Sequence, residues 1–148
     1  MKVVALPEYC LGCGLCEIYC AARHDGWNGN VLKAYKKGKP VNRSRLMESL
    51  GESWLNTCMH CTEAPCVNGC ISGAMQRDAN GTVYVDTDRC VGCYTCVMLC
   101  PYGHVRPWPG KHQVIKCDLC RGQSDIPVCV ANCPNGALQL LGEEVEAV

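Results

Sequence analysis

The sequence predicts an α+β fold made of two pseudo-symmetric halves, each of short strands and short helices. Three observations carry this expectation. Sixteen of the 148 residues are cysteine, and they fall into four groups of four with none left over. Large side chains are scarce, with no phenylalanine, six tyrosines and three tryptophans, so the protein alone has little to fill a core. The chain also repeats itself. An apolar strand, a Cys-x2-Cys-x2-Cys-x3-Cys run and a helical stretch occur at 3–23 and again at 83–102. Cys-Val-Asn-Gly-Cys-Ile-Ser-Gly-Ala-Met at 66–75 parallels Cys-Val-Ala-Asn-Cys-Pro-Asn-Gly-Ala-Leu at 129–138. Repeated units that cannot fill themselves must pair. The order suggests that the middle groups pair locally while the first and last close around them.

Residues 3–6 (Val-Val-Ala-Leu) read as a strand feeding the first cysteine loop. One or two helical turns are expected at 15–23, 94–100 and 128–132, ending near Ala-Ala or Cys-Pro steps. Runs at 73–77 and 82–86 flank Asp78-Ala79-Asn80-Gly81, a hairpin signal. Two more short strands are expected at 112–116 and 137–141. The first half is thus 1–24 plus 112–148, the second 57–111, and 25–56 a basic connector or docking segment.

The cysteine groups are Cys10-x2-Cys13-x2-Cys16-x3-Cys20, Cys58-x2-Cys61-x4-Cys66-x3-Cys70, Cys90-x2-Cys93-x2-Cys96-x3-Cys100 and Cys117-x2-Cys120-x8-Cys129-x3-Cys133. Four thiolates per group is the ligand count of a [4Fe–4S] cubane. Zinc sites take two ligands, a long gap, then two more, whereas two groups here open with three cysteines spaced three apart. A disulfide scaffold calls for an oxidising compartment, and the chain shows neither a signal peptide nor an eighteen-residue apolar run. The expectation is a cytoplasmic protein without a membrane span. Formal charge is zero, but four loaded sites at roughly −2 each would bring the protein near about −8, which disfavours nucleic acid as a partner. With so thin a core, the apoprotein is expected to be largely unstructured.

Cys-Val-Gly-Cys-Tyr-Thr-Cys-Val-Met-Leu-Cys-Pro at 90–101, Lys-Cys-Asp-Leu-Cys at 116–120 and Pro-Val-Cys-Val-Ala-Asn-Cys-Pro at 127–134 carry a resemblance. So does the x4 and x8 spacing of the second and fourth groups. Together they resemble the four-cluster, ferredoxin-like electron-transfer subunits of molybdenum and tungsten enzymes, most of all the ferredoxin of carbon monoxide dehydrogenase. Subunits of hydrogenase, formate dehydrogenase and aldehyde oxidoreductase systems are similar too. The resemblance implies bacterial-ferredoxin-like halves and four [4Fe–4S] clusters with crossed ligands. Cys10, Cys13 and Cys16 would share a cluster with Cys133; Cys117, Cys120 and Cys129 with Cys20. Cys58, Cys61 and Cys66 would share one with Cys100; Cys90, Cys93 and Cys96 with Cys70. It departs from the pattern in lacking proline after Cys20 and Cys70, although Pro101 and Pro134 are present.

The function so implied is electron transfer, not catalysis, between a redox enzyme and an acceptor in an anaerobic cytoplasm. Carbon monoxide dehydrogenase is the leading donor, and a hydrogenase or NAD(P)-reducing flavoprotein the acceptor. The alternatives are a subunit of a tungsten aldehyde oxidoreductase or formate dehydrogenase and, from another class, a structural zinc module. No nucleotide fingerprint or hydrolase elbow occurs. Of His24, His60, His104 and His112, His60 lies between Cys58 and Cys61 and is placed to tune a cluster by hydrogen bonding. Gly12, Gly14 and Gly92 sit inside the cysteine loops, where they leave backbone N–H groups free to face sulfur. Lys33, Lys36, Lys37, Lys39, Arg43 and Arg45 form a basic stretch that is either a solvated connector or a dock for an acidic partner. Trp27, Trp54 and Trp108 are core fillers or interface anchors.

Overall fold

The computed structural model describes residues 1–24, 26–27 and 29–142. The expected segments at 25, 28 and 143–148 lie outside the described residues. In chain order the first elements are β1 (Lys2–Ala5), a short 3₁₀ turn (Pro7–Tyr9), α1 (Leu15–His24), α2 (Val31–Lys37), β2 (Arg45–Ser49) and β3 (Glu52–Asn56). Then come α3 (Pro65–Asn68), β4 (Met75–Arg77), β5 (Val83–Val85), α4 (Thr95–Leu99), β6 (Arg106–Pro107), β7 (Val114–Ile115), α5 (Val128–Ala131) and β8 (Leu138–Leu141).

The strands form antiparallel pairs only: β1 with β8, β2 with β3, β4 with β5, β6 with β7. An isolated pair is marginal in water, so each must lean on packing. β1 and β8 place Val3 opposite Leu140 and Ala5 opposite Leu138, joining the two ends of the described chain. In the β4–β5 turn Asp78 Oδ1 accepts from the N–H of Asn80 at 3.0 Å and of Thr82 at 2.9 Å. Buried residues gather into two apolar clusters. One holds Val3, Leu55, Cys58, Cys117, Leu119, Cys129 and Leu138. The other holds Ala64, Cys66, Met75, Val83, Cys96, Val105 and Val114.

The cysteine-free stretch is more structured than its charge suggests. Leu50 (φ 52°) and Gly51 (φ 85°) are both left-handed, the backbone a two-residue hairpin turn requires. The hairpin sets Leu46 opposite Leu55 and Met47 opposite Trp54. Leu55 carries this hairpin into the first apolar cluster. Glu17 Oε1, on α1, accepts from Asn42 Nδ2 and from the Leu46 N–H, both at 2.8 Å. α2 is capped by Asn30, whose Oδ1 accepts from the Lys33 N–H at 3.0 Å, and it packs on α1 with Ala34 buried.

The missing prolines matter less than the sequence pattern suggests. After Cys70 the turn still closes, with the Gly73 N–H on the Cys70 carbonyl at 3.1 Å. The same turn follows Cys100 (Gly103 N–H, 3.2 Å) and Cys133 (Gly136 N–H, 3.3 Å), where proline is present. After Cys20, α1 simply continues to His24. α3 and β6 were not expected. α3 is the repeat counterpart of α5, and β6 pairs with a strand shortened from 112–116 to Val114–Ile115. Among the described residues, no helix is long and apolar enough to cross a membrane.

Candidate metal centres

Each opening Cys-x2-Cys loop turns on a left-handed residue just before its second cysteine, joined in the fourth loop by Cys120 itself (φ 55°). These are Gly12 (φ 64°), His60 (49°), Gly92 (67°) and Leu119 (56°). The turn folds that residue's N–H back on the first sulfur: His60 donates to Cys58 Sγ at 3.4 Å and Leu119 to Cys117 Sγ at 3.5 Å. At Gly92 a Cβ would lie 2.3 Å from the His112 carbonyl oxygen, so only glycine fits. Holding a non-glycine residue there costs on the order of 1–3 kcal/mol. Surrounding contacts offset this cost. The buried His60 ring accepts the Val83 N–H on Nδ1 at 3.0 Å, and Leu119 is buried in the first apolar cluster.

Sulfurs from different groups come together. Cys10, Cys13 and Cys16 line one hollow with Cys133, walled by Leu46, Leu55 and Leu138. Cys58, Cys61 and Cys66 line another with Cys100, walled by Ala64, Val83 and Val105. Burial pushes the Cys20 thiol up to about 12, with the neighbouring Cys117 and Cys120 sulfurs contributing. Cys129 is raised by burial and then by Cys117, Cys20 and Cys120. Cys96 is pushed up to about 11, by burial first and then by Cys70, Cys90, Cys66 and Cys93. At the two hollows the last cysteine of one group stands with the first three of another, and Cys20 and Cys70, last in their groups, are among the sulfurs that act on Cys129 and Cys96. Among the described residues no three His, Cys, Asp or Glu side chains converge as for a single ion; two sets of four cysteines line hollows instead.

The electrostatics fit a cationic core. Burial raises the Cys16 thiol to about 11 and also raises Cys66, Cys117 and Cys120. Crowded, desolvated thiols of this kind ionise only when metal takes the charge. Backbone donors already face them: Arg43 N–H to Cys20 at 3.4 Å, Met75 N–H to Cys70 at 3.4 Å and His104 N–H to Cys100 at 3.3 Å. At Cys70, burial opposes ionisation, but the Met75 amide and Ser72 hydroxyl outweigh it and the thiol is lowered. Such donors stabilise the more reduced state of a cluster and so set its potential.

The other expected residues divide. His60 does bond a cysteine sulfur, but through its backbone; burial drives its ring down to about 3, so it stays neutral. His104 Nε2 bonds Asn56 Oδ1 at 2.5 Å. His24 is driven to about 4 by burial and then by Arg43, and lies 3.5 Å from Asp118 and 3.7 Å from Cys120 Sγ. His112 stacks on Tyr94. Lys33, Lys36, Lys37, Lys39 and Arg45 are exposed. Arg43 is not part of that surface, because its guanidinium pairs with Asp118 and its N–H faces Cys20. Trp27, Trp54 and Trp108 are half-buried; Lys37 lies over Trp27 and Lys111 over Trp108. Lys116 and Thr57, both buried beside the cysteines, were not singled out from sequence. A position directly before a first cysteine was the available signal.

The chain matches the family described as 4Fe-4S dicluster domain over residues 53–143. It is 35% identical to the electron transport protein HydN of Escherichia coli K12, over 92% of this chain and 85% of that protein. It is 37% identical to the thiosulfate reductase electron transfer subunit PhsB of Salmonella typhi, over 88% of this chain and 69% of that one. It is 35% identical to the polyferredoxin-like subunit of the aliphatic sulfonate oxidoreductase of Pyrococcus furiosus, over 88% and 70%. A chain of the BamBC active site complex of benzoyl coenzyme A reductase superposes with a TM-score of 0.51 at 24% identity, over 99% of this chain and 81% of that chain. That likeness speaks for the fold alone. With paired cysteine sets in the structure and these relatives in sequence, the chain belongs to the 4Fe-4S dicluster, ferredoxin-like family of electron-transfer proteins.

Proposed function

We propose that the chain holds four [4Fe–4S] clusters in two ferredoxin-like halves and relays electrons between a catalytic redox partner and an acceptor. What supports this reading is that Cys133 lines a hollow with Cys10, Cys13 and Cys16 and Cys100 lines one with Cys58, Cys61 and Cys66, while Cys20 is among the sulfurs that act on Cys129 and Cys70 among those that act on Cys96. The quartets are Cys10/Cys13/Cys16/Cys133, Cys117/Cys120/Cys129/Cys20, Cys58/Cys61/Cys66/Cys100 and Cys90/Cys93/Cys96/Cys70. Cys16, Cys58, Cys117 and Cys133 share one apolar cluster, and Cys66 neighbours Cys96, which supports a linear order with those of Cys117 and Cys58 in the middle. Each cluster, when bound, supplies a one-electron centre. The protein's own part is to bury the sulfurs, bond them from backbone amides and keep the outer sites near the surface, where Cys13 and Cys93 are exposed.

The partner is a redox enzyme, in keeping with relatives named for thiosulfate reductase and aliphatic sulfonate oxidoreductase. Those names favour a catalytic subunit of that general kind. Carbon monoxide dehydrogenase as donor, with a hydrogenase or NAD(P)-reducing flavoprotein as acceptor, rests on the resemblance at 90–101 and 116–134 alone. The exposed Lys33, Lys36, Lys37, Lys39 and Arg45 form the dock for an acidic surface on that partner. The test is iron and sulfide analysis of anaerobically purified protein, with visible absorption before and after dithionite. The expected result is about sixteen irons per chain, four for each four-cysteine site, in a brown protein that bleaches. About eight irons would leave a two-cluster protein, and a colourless zinc protein would replace the reading with an assembly module.

A further inference from the structure

Four residues directly precede the first cysteines of the four groups: Tyr9, Thr57, Arg89 and Lys116. Tyr9 and Arg89 are exposed, and Arg89 pairs with Asp86 at 3.3 Å. Lys116 is different. It is 2% exposed and counts among the largest fully buried side chains of the protein. Its ammonium donates to two backbone carbonyls, that of Val83 and, at 2.8 Å, that of Cys117. Among the described residues no carboxylate lies within ion-pairing distance of it. Removing a cation from water without a counter-charge is strongly unfavourable, and carbonyl dipoles do not neutralise it.

The missing negative charge lies in the sulfurs around it. Val83, whose carbonyl the ammonium bonds, lines the hollow of Cys58, Cys61, Cys66 and Cys100, and the second carbonyl belongs to Cys117 itself. The Lys116 charge accordingly favours the thiolates of Cys66 and Cys117 against burial. It also acts on the rings of His60 and His104, which flank the Cys58 and Cys100 sites. Lys116 therefore sits between the two inner quartets. Thr57, the residue before Cys58, is buried as well, and its hydroxyl pairs with that of Ser44 at 2.9 Å. We infer that Lys116 is the internal counter-ion shared by the Cys58/Cys61/Cys66/Cys100 and Cys20/Cys117/Cys120/Cys129 sites, and that it raises the reduction potentials of these two above the values they would otherwise have. The physical reason is direct: reduction adds negative charge, and a fixed buried cation stabilises it in a medium that screens poorly. The middle of the relay is thereby made the more favourable place for an electron.

This inference rests on the four-cluster reading, and the experiment separates the two. Wild-type protein, Lys116→Met, Lys116→Gln and Lys116→Arg are purified anaerobically. Their iron content is measured, and each cluster potential is taken from an EPR-monitored redox titration. Fewer than four reducible centres in the wild type would sink the function proposed above. With four centres, the expected result is that two potentials fall in the Met and Gln variants, two stay, and Arg keeps all four near wild type. Gln separates charge from hydrogen bonding, because it can still donate to the carbonyls. Loss of iron in Met and Gln but not in Arg would also support a counter-ion. Unchanged potentials in fully loaded neutral variants would overturn it, as would an equal fall at all four centres or loss of iron in all three variants.

Discussion

Replacing Gly92 with alanine should cost more than the same change at Gly14, and the structure says by how much. Both are left-handed, at φ 67° and 73°, and an alanine there costs about 1–2 kcal/mol. At Gly14 nothing lies within 4 Å of an added Cβ, so that is the whole cost. At Gly92 the Cβ would meet the His112 carbonyl oxygen at 2.3 Å, its Nδ1 at 2.5 Å and its carbonyl carbon at 2.8 Å. Backbone must move to relieve this, adding about 1–3 kcal/mol. Gly92→Ala should therefore cost about 2–5 kcal/mol against about 1–2 for Gly14→Ala. Gly12→Ala should fall between them, since its neighbour at 3.0 Å is the Ser53 hydroxyl, which can rotate. The assay is the temperature at which visible absorption is lost anaerobically, where each kcal/mol is worth about 2–4 °C for a chain of this size. Equal midpoints for Gly14→Ala and Gly92→Ala would refute the reasoning.

Leu55→Ala should destabilise the loaded protein by about 2–5 kcal/mol, because Leu55 is 4% exposed beside Cys58 and Cys117; a change under about 1 kcal/mol in that midpoint would return 25–56 to the status of a linker. Acid should destabilise the protein through His24 and His60. Both are neutral when folded, so their contribution is whole above about 6.5 and is lost as pH falls toward about 4 and about 3, where the unfolded chain binds protons that the folded one refuses. Bleaching rates against pH test this, and His60→Gln should flatten the profile. Chelating the iron should abolish most far-ultraviolet structure, and a cooperative melt of the apoprotein would contradict that. Changing Lys33, Lys36, Lys37 and Lys39 to glutamate should slow electron exchange with the partner at low salt and less at high salt; rates that match wild type at low salt would remove the dock.

Much of the fold was legible because cysteine spacing and turn chemistry are local signals. Asp78-Ala79-Asn80-Gly81 announced the β4–β5 hairpin, and the apolar runs near residues 3 and 138 announced β1 and β8. The β2–β3 hairpin was hidden because its turn is Leu50-Gly51 rather than Asn-Gly, and Leu50 bears a left-handed penalty without a side chain suited to it. Basic residues around it also drew attention to solvent, while Leu55 two residues before Thr57 carried the core. At the site, the identity of the sixteen sulfurs was readable and their environment was not. Nothing local marks Lys116 as buried, since its ammonium is held by the Val83 carbonyl of β5, distant in sequence. Arg43 was misgrouped for the same reason: its partner, Asp118, is far away in sequence.

The crossed quartets are the central claim, and Cys100→Ser tests them most directly. Cys100 belongs to the third sequence group but lines the hollow of Cys58, Cys61 and Cys66. Its EPR spectrum after anaerobic reduction is to be compared with those of Cys61→Ser and Cys93→Ser. The expected result is that Cys100→Ser perturbs the same signal as Cys61→Ser and leaves intact the one altered by Cys93→Ser. Perturbation of the Cys93 signal instead would mean that each group binds its own cluster, and would contradict the crossing.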